Sequence, residues 1–150
     1  VPQPPFRDAR TRGGGPELPP IMSPSANNNN VPEPLAGAMF RATVDRTSYI
    51  NYGVAQNEIP VLIQTGYFFR YSKEGTNAVV FDANPRKPLN ISGFVWEGNT
   101  ERLLKGTSYI IDESHGAGHV VLFAEDPFYR GMTRSTTRQF FNAIAFNGIF

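Results

Sequence analysis

The stretch Thr107–Arg130 constrains the fold most. Two apolar runs, Thr107–Asp112 and His119–Ala124, flank a short connection that carries Gly116 and Gly118. So short a link makes the runs antiparallel neighbours, and the glycines offer the positive φ angles that such a turn needs. The spacing therefore predicts a β-hairpin. Glu125-Asp126-Pro127-Phe128-Tyr129-Arg130 follows at once. The strand end thus delivers two carboxylates, two aromatics and an arginine to one place, where α/β folds often build sites.

The segments upstream also read as short strands separated by turns. Met39–Val44, Ile59–Thr65, Tyr67–Tyr71 and Asn77–Phe81 are rich in β-branched and aromatic types, and Ser92–Trp96 continues the series. A helical turn is expected between Asp45 and Tyr52, with Asp45 or Thr47 as its cap. A second, at Thr100–Leu104, is closed by Gly106. The last element predicts a full helix capped by Ser135 or Thr136. Phe140, Phe141, Ile144 and Ala145 form its apolar stripe, Arg138, Gln139 and Asn142 lie off the stripe, and Asn147-Gly148 is the stop.

Residues 1–37 differ from this pattern. Nine prolines, the triplet Gly13-Gly14-Gly15 and the run Asn27–Asn30 leave little apolar surface to offset chain entropy. They read as an extended arm or linker ahead of one domain at 38–150. Phe6, Leu18 and Ile21-Met22 are its candidate anchors. A chain of 150 residues, 40% hydrophobic with 12 Phe, is long enough for one real core. Its net charge of +1 gives no electrostatic case for nucleic acid or an anionic membrane. The absence of Cys excludes disulfides, thiol catalysis and Cys-ligated zinc. No apolar run reaches the roughly 18 residues of a membrane span. A start at Val1 rather than Met reads as a fragment or a processed form.

The candidate sites are modest. His115 and His119 have the i, i+4 spacing of helical metal ligands, but the intervening glycines break the helix that would align them. Asp112 and Glu113 could add carboxylates if the turn folded back. Glu125 and Asp126 point to opposite faces of a strand and make a poor acid–base pair. Arg130, Arg134 and Arg138 are available to pair with them. A hydrolytic reading would use Asp126 and His119, yet no Gly-x-Ser-x-Gly elbow is present. Exposed aromatics among Tyr67, Phe68, Phe69, Tyr71 and Trp96 would suit a glycan or a peptide. Asp126, Arg130, Trp96 and Tyr67 are the expected contact residues, with no catalytic residue and no metal ligand assigned.

Three blocks carry a family resemblance. Leu35-Ala36-Gly37-Ala38-Met39-Phe40-Arg41-Ala42-Thr43-Val44-Asp45 looks like an opening "G-x-x-x-R-x-x-V-D" strand and is followed by a short stretch ending in Tyr52-Gly53. Ile91-Ser92-Gly93-Phe94-Val95-Trp96 is the second, "SG-aromatic" block, followed by Leu103-Leu104-Lys105-Gly106. The third joins Gly116-Ala117-Gly118-His119-Val120-Val121-Leu122-Phe123 to Asp126-Pro127-Phe128-Tyr129-Arg130 and Phe140-Phe141-Asn142-Ala143. In this order the blocks resemble the domain that follows the catalytic domain in bacterial carboxypeptidase A-like zinc peptidases. The resemblance implies an α/β fold similar to class I glutamine amidotransferases, here a partial flavodoxin-like sheet with a C-terminal hairpin and helix. It further implies a non-catalytic accessory module that packs on an upstream peptidase domain. The zinc would reside in that domain, with no cofactor in this chain, and the location would be periplasmic or extracellular. A partial sheet would leave an edge or face open to a partner, including a second copy. The rival reading is a stand-alone glycan- or peptide-binding module.

Overall fold

A computed structural model describes residues 31–65 and 67–147. The strands are β1 (Ala38–Val44), β2 (Glu58–Ile63), β3 (Phe69–Arg70), β4 (Thr76–Val80), β5 (Asn90–Gly93), β6 (Thr107–His115) and β7 (Gly118–Phe123). The helices are α1 (Thr100–Leu104) and α2 (Arg134–Ala145), and 3₁₀ turns cover Tyr49–Asn51 and Tyr129–Gly131. The strands form one curled sheet in the order β2-β1-β4-β6-β3, with β5 also on β1 and β7 also on β6.

The architecture is mixed α/β with the expected C-terminal hairpin and helix. The expected flavodoxin-like sheet is not what the strands build. Every ladder is antiparallel, whereas a doubly wound sheet is mostly parallel with helices as crossovers. Among the described residues the links between strands carry α1, five residues long, and the three-residue 3₁₀ turn Tyr49–Asn51, and neither serves as a helical crossover between parallel strands.

Alternation builds the core. β1 buries Ala38, Phe40, Ala42 and Val44, and β2 buries Ile59, Val61 and Ile63 on the same side. Ile50, Phe81, Leu89, Leu104 and Tyr109 complete the cluster, with Phe81 edge-on to both Phe40 and Tyr109. Burial pushes the Tyr109 phenol up, and the charges of Glu125 and Asp126 push it the same way. The hairpin turn is tight: His115 pairs with Gly118, and Gly116 takes φ +60°. A glycine with positive φ at the first central position is what a type II′ turn requires. Gly118, expected to share that role, is instead the first paired residue of β7.

The C-terminal helix sits the other way round from its sequence stripe. Thr136, Gln139, Asn142 and Ala143 are its buried residues, while Phe141 is 58% and Ile144 62% exposed. The cause is a buried amide relay. Gln139 Nε2 donates to Asn51 Oδ1 at 2.7 Å, and Asn51 Nδ2 donates to the carbonyls of Asp45 and Ala78, each at 2.7 Å. Asn142 Nδ2 donates to the carbonyls of Ile50 and Tyr52. These bonds satisfy the backbone of the 3₁₀ turn, which has no strand partner, and they fix which face of α2 points inward. The helix starts after Thr133 rather than at Ser135 or Thr136; the Thr136 hydroxyl instead donates back to the Pro127 and Thr133 carbonyls. The expected stop at Gly148 lies outside the described residues.

Residues 31–37 of the expected arm are tied to the domain. Leu35 is buried in the core. Glu33 N–H donates to Asn99 Oδ1, Asn99 Nδ2 donates to the Val31 carbonyl, and Trp96 Nε1 donates to the Pro34 carbonyl, all between 2.9 and 3.0 Å. The candidate anchors at Phe6, Leu18, Ile21 and Met22 lie outside the described residues.

Candidate binding site

The residues singled out from sequence are dispersed. Asp126 is exposed and accepts the Phe128 N–H at 2.8 Å, closing its own turn. Arg130 is exposed, takes φ +49°, and stacks its guanidinium over the Tyr129 ring at 5.2 Å. Trp96 is half exposed, edge-on to Phe94 at 5.0 Å, with its N–H on Pro34. Tyr67 is fully exposed just ahead of β3, on the β6 side of the sheet, whereas Trp96 follows β5 on the β1 side. Among the described residues no ring contact joins Trp96 to Tyr67, Phe69 or Tyr71. Tyr71 is exposed, although its hydroxyl approaches the Phe81 carbonyl and partial burial, then the Asp82 charge, raises its pKa.

Glu125 also has a structural task. One of its oxygens accepts from Gln64 N–H, Thr65 N–H and Thr65 Oγ1 at 2.6–2.8 Å, so it terminates the β2 edge. Among the described residues neither it nor Asp126 forms an ion pair with Arg130, Arg134 or Arg138.

The convergent polar groups lie elsewhere. In the β6–β7 ladder Asp112 pairs with Val121 and His119 with Ser114. Asp112 and His119 are therefore diagonal neighbours on one face. His119 Nδ1 stands 3.0 Å from Asp112 Oδ1. The carboxylate can only accept, so Nδ1 carries the proton and the ring orientation is fixed. The same register puts His115 on the opposite face from His119, so the two histidines whose spacing matches helical metal ligands do not converge. Among the described residues no cluster of three or more His, Cys, Asp or Glu could hold a metal ion.

Tyr49 completes the group. Its ring is edge-on to His119 at 6.4 Å. Its pKa is pushed up to about 12, first by burial, then by the Asp112 charge and the hydrogen bond to that carboxylate. Tyr49 is held here by the turn after β1. There Asp45 Oδ1 accepts from Thr47 N–H and Thr47 Oγ1 at 2.9 and 2.7 Å, and Asn51 anchors the turn from beneath.

These residues line an open cavity of about 680 Å³ together with Arg46, Thr47, Ser48, Tyr52, Thr76 and Phe146. Tyr52 and Phe146 stand edge-on at 6.0 Å and form an aromatic wall. Arg46 Nη1 is tethered to the Ala55 carbonyl and Asn57 Oδ1. The Asp112–His119 pair has the form of a base and its orienting carboxylate. The nearby serine is not arranged as their nucleophile. Ser48 Oγ is buried and makes no hydrogen bond, while an activated serine needs one to its base. The hydrolytic pairing of Asp126 with His119 is replaced by Asp112 with His119. The chemistry on offer is directional hydrogen bonding beside aromatic rings.

The sequence put Asp112 beside His119 only as a possible carboxylate for a metal, and paired His119 with Asp126 for hydrolysis. The parity of the hairpin it predicted was the signal that puts them side by side. Tyr49, Tyr52 and Thr76 carried no signal, because their approach depends on strand pairings distant in sequence.

No family model, no curated protein and no solved structure matches this chain. Among the described residues no helix is long and apolar enough to cross a membrane.

Proposed function

We propose that this chain is a non-catalytic accessory domain of a zinc carboxypeptidase-like protein, and that it docks on the peptidase domain through the outer face of α2. The observation that carries this reading is the inverted helix. Phe141 and Ile144 project from α2 into solvent, and half-exposed Phe128 and exposed Met132 lie just ahead of the helix. Phe128, Phe140 and Phe141 form a ring cluster with centroids 4.7–6.2 Å apart. Contiguous exposed aromatics mark an interaction face. The three sequence blocks supply the family, the periplasmic or extracellular location and the zinc held in the partner domain. A kinship with amidotransferase-like domains rests on those blocks alone, since antiparallel ladders do not fit a flavodoxin-like sheet.

The test joins mass with binding. Intact mass of the natural gene product should show a larger parent containing a zinc peptidase domain. That domain, expressed separately, should co-elute with this chain, and Phe141→Ala/Ile144→Asp should abolish co-elution while the circular dichroism spectrum stays unchanged. A parent no larger than this chain, or co-elution that ignores the double variant, refutes the reading. Self-association of the wild-type chain that the double variant removes would assign the face to a second copy instead.

A further inference from the structure

The cavity between the 3₁₀ turn and the hairpin is separate from the α2 docking face and carries its own reading. We propose that it is a binding site for a pyranose sugar, seated against Tyr52 and Phe146 and hydrogen-bonded by Asp112, His119 and Thr47.

Size, wall chemistry and polar grouping point the same way. A volume of about 680 Å³ falls within the range of about 300–1,000 Å³ typical of small-ligand pockets. It is ample for a single sugar ring with room for a linked neighbour. Tyr52 is 71% exposed, so its ring is accessible to a ligand. The exposed ring and the edge-on Phe146 offer flat apolar surface for the C–H face of a pyranose.

The polar groups match vicinal hydroxyls. Asp112 can accept, protonated Nδ1 of His119 already faces it, and Nε2 of the neutral ring is left as an acceptor. Thr47, Thr76 and Arg46 add hydroxyl and guanidinium groups on the same wall. Acceptors and donors side by side, with charges of both signs, suit a neutral polyol. A carboxylate ligand would face Asp112, and an ammonium ligand would face Arg46.

The groups are also pre-organised. Asp45 and the Asn51–Gln139 relay fix the turn that carries Thr47, Tyr49 and Tyr52, and the ladder fixes Asp112 against His119. Little ordering cost remains on binding.

The experiment is an NMR titration of the full 150-residue chain with glucose, galactose, mannose, N-acetylglucosamine and their β-linked disaccharides. At least one probe should shift the Thr47, Tyr52 and His119 signals together in a saturable manner. Tyr52→Ala removes only an exposed ring. It should weaken that binding about tenfold, the loss of one aromatic contact worth about 1.4 kcal/mol. Tyr67→Ala, an exposed tyrosine on another part of the sheet, should bind as wild type. No saturable shift with any probe overturns the proposal, and so does binding that Tyr52→Ala leaves intact. Neither result bears on co-elution with a peptidase domain, which uses the α2 face.

Discussion

Replacing Asn51 by Ala tests the claim that buried amides, not apolar contacts, hold α2 in place. Asn51 is almost fully buried and makes three side-chain hydrogen bonds, two donated to carbonyls and one accepted from Gln139. Each is worth about 1 kcal/mol net, and a buried donor left without an acceptor costs about 1–3 kcal/mol more. The Asp45 and Ala78 carbonyls keep a backbone donor each, from Ser48 and Asp45. The orphan is therefore the Gln139 amide, whose Oε1 already lacks a partner. The expected loss is about 4–6 kcal/mol, a large fraction of the roughly 5–15 kcal/mol of a typical domain. Urea unfolding followed by circular dichroism measures it, with an unchanged denaturant slope as the check on two-state behaviour. Ile144→Ser is the matched control. Its side chain is 62% exposed, so the change should stay within about 0.5 kcal/mol. An ordinary amphipathic helix gives the opposite ranking. If Ile144→Ser proves as costly as Asn51→Ala, or Asn51→Ala costs under about 1 kcal/mol, the inverted-helix argument is wrong.

Other expectations follow from single contacts. Glu125→Gln weakens three charge-assisted bonds to the β2 end, so amide exchange at Gln64 and Thr65 should quicken with a stability loss of about 1–3 kcal/mol; unchanged exchange would disprove the cap. Gly93→Ala should be strongly destabilising, because φ is +95° and a Cβ would stand 2.8 Å from Ala38 Cα. A melting temperature equal to wild type would show that the Ala38–Gly93 pairing can yield. Tyr49 has a raised folded pKa, so its contribution to stability is complete below pH 10, its ordinary value, and is lost as pH rises through about 12. Because Asp112 supplies two of the causes, Asp112→Asn should bring the Tyr49 titration down, as read by the chemical shift of its ring carbon. Trp96→Phe keeps the ring and removes the bond to Pro34; faster exchange at Glu33 and earlier proteolysis near residues 31–37 are expected.

What was legible in the sequence was what short-range geometry decides. The hairpin, α1 with Gly106 behind it at φ +71°, and β1 with its strict alternation all follow from local turn chemistry and periodicity. The expected cap of the next turn, Asp45 or Thr47, is displaced to Ser48, although Asp45 still binds Thr47 just ahead of it. Strand order was not legible, since β1 joins β2, β4 and β5 through pairings between residues about 15 to 55 positions apart. The sharper lesson is α2. Its apolar residues do make a stripe at helical spacing, and that periodicity is genuine. It does not say which surface the stripe meets. Burial goes to whichever face satisfies more of the structure beneath, and beneath α2 lies a 3₁₀ turn with unpaired carbonyls. Asn142 answers those carbonyls and Gln139 answers the Asn51 side chain within the turn, while Phe141 and Ile144 could not. An apolar stripe left outside by such a competition is then a statement about partners rather than about the core. The same logic applies to the cavity. Asp112 and His119 are seven residues apart and were readable together only once parity across the turn was taken into account. The rings that make their surroundings a site arrive from the β1 turn and the end of α2, and only the folded chain brings them there.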